Sequence, residues 1–242
     1  MPYTYFISDL HLSADRPDIT RCLLEFLQDK APHADALYVL GDLFEMWMGD
    51  DDINAFTLEV AQAFKALTDN GVAIYFIHGN RDFLIRTPFA QRAGFKLLPE
   101  QCVVDLYGKP TLIMHGDELC IGDLEYQKFR KKARGWWWPR LMLSLPLSTR
   151  RKIAEKGRKT SQTNQQKLSP EIMDVTQSEV VKVMHEHKVS RLIHGHTHRP
   201  AIHQLEVDGQ TAQRIVLGDW YEQGSILKVT ADSLVLESKD FE

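Results

Sequence analysis

The chain has 242 residues, 43% hydrophobic and 26% charged, with 29 Lys and Arg against 33 Asp and Glu for a formal net charge of −4, which excludes collagen-like, coiled-coil and disordered classes. The length suits one large domain, or one domain carrying an insertion. Cys22, Cys102 and Cys120 show no CxxC spacing, and the chain holds neither a basic leader before an apolar stretch nor an 18-residue apolar run, so free thiols in a cytosolic, non-spanning protein are expected.

In chain order, Tyr3 to Ser8 (YTYFIS) reads as a buried strand and runs into Asp9-Leu10-His11. After Pro17, one helical face carries Ile19, Leu23, Phe26 and Leu27. Ala36 to Leu40 (ALYVL) is the second strand and ends in Gly41-Asp42. Phe56, Val60, Phe64 and Leu67 mark a second helix closed by Gly71. Ala73 to Ile77 (AIYFI) leads to Gly79-Asn80-Arg81-Asp82, Thr111 to Met114 (TLIM) to His115-Gly116-Asp117, and Arg191 to Ile193 (RLI) to His194-Gly195-His196-Thr197-His198. Ile215 to Leu217, Ser225 to Val229 and Leu234 to Leu236 read as further strands. Strand, helix, strand implies an α/β (α+β) sheet, and the late strands imply a second sheet packed on the first as a sandwich.

Five strand ends therefore carry Asp, Asn or His. In open α/β sheets such ends converge on one crevice, and adjacent glycines let the backbone approach an ion or phosphate closely. Any one fragment has a structural use: Asp42 as a turn residue, His115 as a hydrogen-bonded core histidine. Together Asp9, His11, Asp42, Asn80, His115, His196 and His198 form a candidate metal set. Carboxylate, imidazole and amide oxygen suit manganese, iron or zinc, with no thiolate to select zinc.

D-x-H, GD, GN, H-G-D and GHTH in this order resemble the calcineurin-like binuclear metallophosphoesterases, whose fold is a β-sandwich flanked by helices. SDLHL, LGDLFE, HGNRDFL, IMHGD, a basic insert, IMDV and LIHGHTHRPA resemble, more narrowly, the UDP-2,3-diacylglucosamine diphosphatase family of lipid A synthesis in Gram-negative bacteria, over nearly the whole chain. The resemblance implies two Mn²⁺ ions, one held by Asp9, His11, Asp42 and His198, the other by Asp42, Asn80, His115 and His196, with Asp42 as the bridge. Two metals can generate a nucleophilic water and clamp phosphoryl oxygens for in-line displacement. It further implies water attack on the α-phosphorus, releasing UMP and 2,3-diacylglucosamine 1-phosphate, with Asp42, Asn80 and Arg81 as catalytic residues.

Many members of the wider superfamily carry GNH where this chain has Gly79-Asn80-Arg81. Arginine stays protonated and offers a fork to phosphate oxygens, so Arg81 favours an anhydride, whose leaving sugar phosphate needs no proton, over an alkyl monoester. A surface ion pair with Asp82 is the alternative use of Arg81.

The net charge conceals an asymmetry. Residues 121–170 hold thirteen Lys and Arg against Asp123, Glu125 and Glu155, a net +10 beside −14 for the remainder, which points to an anionic partner or to a solvated helical face. The segment is too long for a plain loop. Trp136-Trp137-Trp138 followed by Leu141, Met142, Leu143, Leu145 and Leu147 is too interrupted to span a bilayer, but suits an interfacial anchor, an acyl-binding lid, or a cap with its Trp residues buried. A core of 1–120 and 171–242 with a helical lid insertion of 121–170 is expected, and the helix after the insert is placed near Ile172. By resemblance, Asn80, Arg81 and His196 meet the substrate in the site, Asp123 and Tyr126 stand at the cap entrance, and Arg158, Ser161 and Lys167 contact the head group. Counted back from IMD, the family's polar and Lys positions fall at Gln165 and Leu168, whereas Asn164 and Lys167 stand one residue earlier. The resemblance also implies peripheral binding to the cytoplasmic leaflet of the inner membrane, with a lipid-linked UDP-sugar as substrate and no nucleic acid; the sequence does not set the oligomeric state, and a monomer is favoured. A nuclease or nucleotide phosphodiesterase of the same fold stays open on the residues alone.

Overall fold

Burial on both faces explains the apolar runs. In the computed structural model, which describes residues 1–165, 172 and 174–241, the side chains of 160–165 excepted, β1 (Thr4–Ile7) is buried at every position, as parallel strands covered on both sides are. β1, β2 (Ala36–Val39), β3 (Ala73–Phe76) and β4 (Phe95–Leu97) lie side by side in parallel, and β10 (Gln223–Val229) and β11 (Leu234–Asp240) extend the sheet antiparallel beyond β1. In the second sheet β6 (Lys109–Met114), β7 (Arg191–His194) and β9 (Gln210–Val216) are parallel, flanked by the antiparallel edges β5 (Gln101–Leu106) and β8 (Ala201–Val207).

Phe6, Tyr38, Ile113, Ile193, Ile215 and Leu227 fill the space between the sheets. Outside the first sheet lie α1 (Pro17–Glu25), α2 (Ala55–Asp69) and α3 (Thr87–Ala93), burying Leu23, Phe64 and Phe89 with Trp220. Outside the second lies α7 (Gln177–Glu186), with Val180, Val183 and Met184. A sandwich flanked by helices results. Asn54 starts α2 with a reciprocal capping box to Thr57, and Gly71 follows its end at φ 98°, as its place in the sequence predicts.

Strands β4, β5 and β8 escape the sequence pattern. β4 has three residues, and β5 and β8 are sheet edges whose side chains are largely exposed or half-exposed, so they show no apolar run. The helix expected near Ile172 starts at Gln177 instead, because Thr176 is extended and forms its N-terminal boundary.

The 121–170 segment contains α4 (Leu124–Ala133), α5 (Trp138–Ser144) and α6 (Leu147–Gln165). Much of its positive charge is matched by the acidic body. Arg150, 2% exposed, pairs with Asp51; Arg151 pairs with Asp52; Arg130 lies 2.6 Å from Glu100 and 2.8 Å from Asp117. A solvated face or an external anion thus describes only part of that charge. The cap with buried Trp residues is not what forms, since Trp136 and Trp137 are 77% and 43% exposed. Cys22, Cys102 and Cys120 are free thiols, and no described helix is long and apolar enough to cross a membrane.

Candidate metal centre

The loops after β1, β2, β6 and β7 are laced by backbone hydrogen bonds. Asp9 N–H donates to Gly41 C=O (3.0 Å), His11 N–H to Asp42 C=O (3.0 Å), Gly195 N–H to His115 C=O (2.9 Å) and Trp220 N–H to Asp9 C=O (3.1 Å). Asp9, His11, Asp42, His196 and His198 all have left-handed backbones, with φ between 49° and 71°. Non-glycine residues rarely adopt this region, and the strain of about 1 kcal/mol or more at each persists only where the surroundings over-determine it. Gly41 (φ 88°) and Gly79 pack against each other below the site, where a side chain on Gly79 would collide with the Asp42 carboxylate.

Asp9, His11 and His198 bring ligand atoms within 4.8 Å of one another, and so do Asp9, Asp42 and His115. Asp9 is common to both groups, while Asp42 Oδ1 lies 3.8 Å from His115 Nε2. His115 Nδ1–H donates to Leu40 C=O (2.8 Å), which leaves Nε2 facing Asn80 Oδ1 at 3.0 Å. The His196 ring lies 5.0 Å from that of His115, and the His196 backbone N–H donates to Asp9 Oδ2 (2.8 Å). All seven predicted ligands therefore meet at one place.

These residues fit a divalent metal. Asp9 Oδ1 is buried with no hydrogen-bond partner, a condition native proteins rarely leave unanswered. His11 Nε2 and His198 Nε2 face each other at 3.3 Å, with Asp9 Oδ1 3.4 Å from the latter. Burial pushes the His11 imidazole down to about 3 and that of His196 to about 4, so both are neutral donors. Burial also opposes charge on His198, but the facing Asp219 and Asp9 carboxylates raise it to about 10. Burial, reinforced by the neighbouring Asp82 and Asp9 charges, raises Asp42 against the pull of His115. Buried carboxylates beside the neutral imidazoles of His11 and His196 form a donor set suited to a divalent cation.

Three groups around the cluster were not singled out from the sequence. Asp219 Oδ2 lies 3.1 Å from His198 Nδ1, the carboxylate–histidine pairing that turns the other ring nitrogen toward a metal. Its GDW context repeats the glycine–aspartate signal seen at Asp42, on a run already read as a strand. Asp219→Asn is expected to weaken metal binding by about 10–100-fold, read as metal retained per chain after dialysis against graded chelator. Unchanged retention would make Asp219 a mere hydrogen-bond partner. Glu45 gathers Arg81 Nη1 (2.9 Å), Arg158, the Tyr221 hydroxyl (3.1 Å) and His11 Nδ1 (3.4 Å), and Tyr221 stacks on His11 with ring centroids 4.9 Å apart.

The alternative use of Arg81 is not observed. Asp82 is buried and accepts from Leu43 N–H (2.8 Å) and Gly79 N–H (2.7 Å), tying two ligand loops together, while Arg81 turns to Glu45 and approaches Asp42 at 4.0 Å. Tyr126 donates to Asp117 Oδ2 (2.6 Å) and stacks at 6.0 Å from the His196 ring. Asp123 accepts from Tyr126 N–H (2.9 Å) and so caps α4. Arg158 reaches the cluster through Glu45. Ser161, Asn164 and Gln165 fall on the backbone of α6, and Lys167 lies outside the described residues.

Residues 3–200 match the model of the calcineurin-like phosphoesterase family. Among curated proteins, the UDP-2,3-diacylglucosamine hydrolase of Photobacterium profundum is 55% identical over 238 residues, which cover 98% of this chain and 97% of that one. The chain belongs to the UDP-2,3-diacylglucosamine hydrolase family of calcineurin-like phosphoesterases. Its relative of the same name in Escherichia coli O81 (strain ED1a) is 53% identical over 233 residues, covering 96% and 97% of the two chains. An archaeal phosphodiesterase structure superposes with a TM-score of 0.51 at 13% identity, covering 98% of this chain and 99% of that one, a likeness of fold alone. As a calcineurin-like phosphoesterase the chain is a hydrolase of a metal-dependent family, and the Asp/His cluster is its candidate metal site.

That cluster leans on a neighbour that titrates. His78, at the root of the Asn80 loop, donates Nε2–H to Ile85 C=O (2.8 Å), and burial pushes it down to about 4. Its folded value lies below the unfolded one near 6.5, so the unfolded state binds more protons between these values. The stability is present above pH 6.5 and is lost as pH falls toward 4, by on the order of 3 kcal/mol. In metal-free protein, His78→Gln, which keeps a donor for Ile85, is expected to flatten the fall of the urea midpoint across that window. An unaltered slope would assign the acid sensitivity to other groups.

Proposed function

We propose that this enzyme hydrolyses the diphosphate of UDP-2,3-diacylglucosamine by water attack on the α-phosphorus, giving UMP and 2,3-diacylglucosamine 1-phosphate. The observation that carries the reading is the placement of two arginines beside the Asp/His cluster, Arg81 and Arg158 both paired with Glu45, in a chain 55% identical to a relative of that name. Two Mn²⁺ ions are the proposed cofactor: Asp9, His11, Asp42 and His198 would hold one, and Asp42, Asn80, His115 and His196 the other. Bound metal supplies Lewis acidity and a nucleophilic water at neutral pH.

The chain's own residues do the rest. Arg81 and Arg158 offer guanidinium forks to the diphosphate oxygens, and neither donates a proton in catalysis. None is needed, because a sugar 1-phosphate is a weakly basic leaving group. Tyr126, held by Asp117, lines the His196 side of the site. Asp123, Ser161, Asn164, Gln165 and Lys167 are the proposed substrate contacts of the 121–170 insertion, and 1–120 with 171–242 the proposed core. A monomer seated peripherally on the cytoplasmic face of the inner membrane suits such a substrate, and exposed Trp136, Trp137 and Leu141 support that placement.

Turnover of UDP-2,3-diacylglucosamine with Mn²⁺ in ¹⁸O-water, read by mass spectrometry, tests the reading. Label in UMP is expected. Label in the lipid phosphate would reverse the orientation of the diphosphate, and no turnover would return the chain to the nucleotide phosphodiesterases.

A further inference from the structure

Away from the metal cluster, three arginines converge on one cavity. Arg86, Arg134 and Arg140 line a space of ≈ 330 Å³ with Trp136 and Leu143, where the segment between α4 and α5 meets the start of α3. Each guanidinium is anchored on backbone carbonyls. Arg86 Nη1 donates to Phe83 C=O (2.7 Å) and Ile85 C=O (3.0 Å), Arg134 Nη2 to His78 C=O (3.1 Å) and Gly79 C=O (2.9 Å), and Arg140 Nη1 to Trp136 C=O. Among the described residues, the carboxylate within ion-pair distance of any of the three is Glu100, 3.4 Å from Arg134. Arg134 shares that carboxylate with Arg130, and Arg86, faced by Asp50 beyond that range, is also repelled by Arg134 and Arg140. Elsewhere in the same segment Arg130, Arg150, Arg151 and Arg158 each have an acidic partner on the body.

Like charges held around an open space with uncommitted N–H donors describe an anion site, and the guanidinium fork suits the oxygens of a phosphate. The rim of the cavity identifies where that phosphate comes from. Trp136 stands 77% exposed beside Arg140, whose Cζ lies 5.8 Å from its ring, and Trp137 and Leu141 are exposed on the same stretch. Lys132 sits 4.2 Å over Trp138. Apolar side chains that would enter an acyl layer therefore stand beside an arginine-lined hollow, as at a membrane interface.

We propose that Arg86, Arg134 and Arg140 form a headgroup pocket that takes the phosphate of an anionic phospholipid, while Trp136, Trp137 and Leu141 enter the bilayer beside it. The pocket goes beyond the hydrolase reading and is independent of the metal cluster. It converts diffuse attraction to a negative surface into a defined contact on one face of the cap. Arg134 also grips the carbonyls of His78 and Gly79, so the lipid contact abuts the root of the Asn80 loop.

Vesicle sedimentation of the full chain tests this without any turnover, so failure here and failure of the hydrolase assignment are separately visible. Wild-type protein is expected to bind vesicles containing phosphatidylglycerol and to bind phosphatidylcholine vesicles weakly. Arg86→Gln/Arg140→Gln should lose about tenfold or more in affinity for the anionic vesicles, with UDP-2,3-diacylglucosamine hydrolysis in detergent and the thermal midpoint unchanged. Arg140→Gln alone, at an exposed position, serves if the double variant folds poorly, and should lose severalfold. Equal binding of these folded variants would overturn the pocket. So would equal wild-type binding to both vesicle types, or displacement from anionic vesicles by millimolar inorganic phosphate at constant ionic strength, which would make free phosphate the ligand.

Discussion

Asp42→Asn is expected to abolish hydrolysis and to leave the fold intact. Asp42 is 2% exposed, and its Oδ1 accepts from Arg81 N–H at 2.8 Å. An amide oxygen can keep that bond in the same volume. The charge is what disappears, and with it the carboxylate proposed to bridge two cations. Turnover should fall by about 10³-fold or more, a loss of at least about 4 kcal/mol of transition-state stabilisation. Metal per chain, measured by mass spectrometry after gel filtration, should fall with it. Metal-free Asp42→Asn should melt no lower than metal-free wild type, because the substitution removes a buried negative charge that faces Asp9 and Asp82. Full metal content and normal turnover would show Asp42 to be an ordinary buried acid.

Arg81 separates metal binding from catalysis. Its guanidinium stands 4.0 Å from Asp42 Oδ2 and is held by Glu45 at 2.9 Å. Arg81→Ala should therefore retain its metal while kcat falls about 10²–10³-fold, the usual cost of removing one preorganised donor from developing phosphoryl charge. Arg81→Lys should recover little, since a point charge does not reproduce a two-pronged fork. If Lys restored full activity, bulk charge alone would explain the residue. If Ala lost metal, Arg81 would act through the shape of the Asn80 loop.

The site was more legible than its supports. Asp9, His11, Asp42, Asn80, His115, His196 and His198 each follow an apolar run, and a buried strand must end where the crevice begins, so spacing alone exposed them. Asp82 and Glu45 sit in the same motifs, but their roles depend on which way each carboxylate turns. Asp82 turns inward to two backbone amides and Glu45 outward to two arginines, a distinction no linear pattern carries. The positive segment misled for a similar reason. Its charge appeared unopposed in sequence, because Asp51, Asp52 and Glu100, which oppose it, lie about 30 to 100 residues away. Edge strands β5 and β8 were invisible because so many of their side chains face solvent.

The two outer arms of the chain must meet before any cation can be fully held. Asp9 accepts from the His196 backbone 187 residues later, and β1 is wedged between β2 and β10. In chain order Asp9, His11, Asp42, Asn80 and His115 all precede His196 and His198, so those five cannot complete the donor set by themselves. Contacts so distant along the chain form late. A chain ending before His196 would therefore lack two of the seven candidate ligands, whatever the state of the rest of the fold.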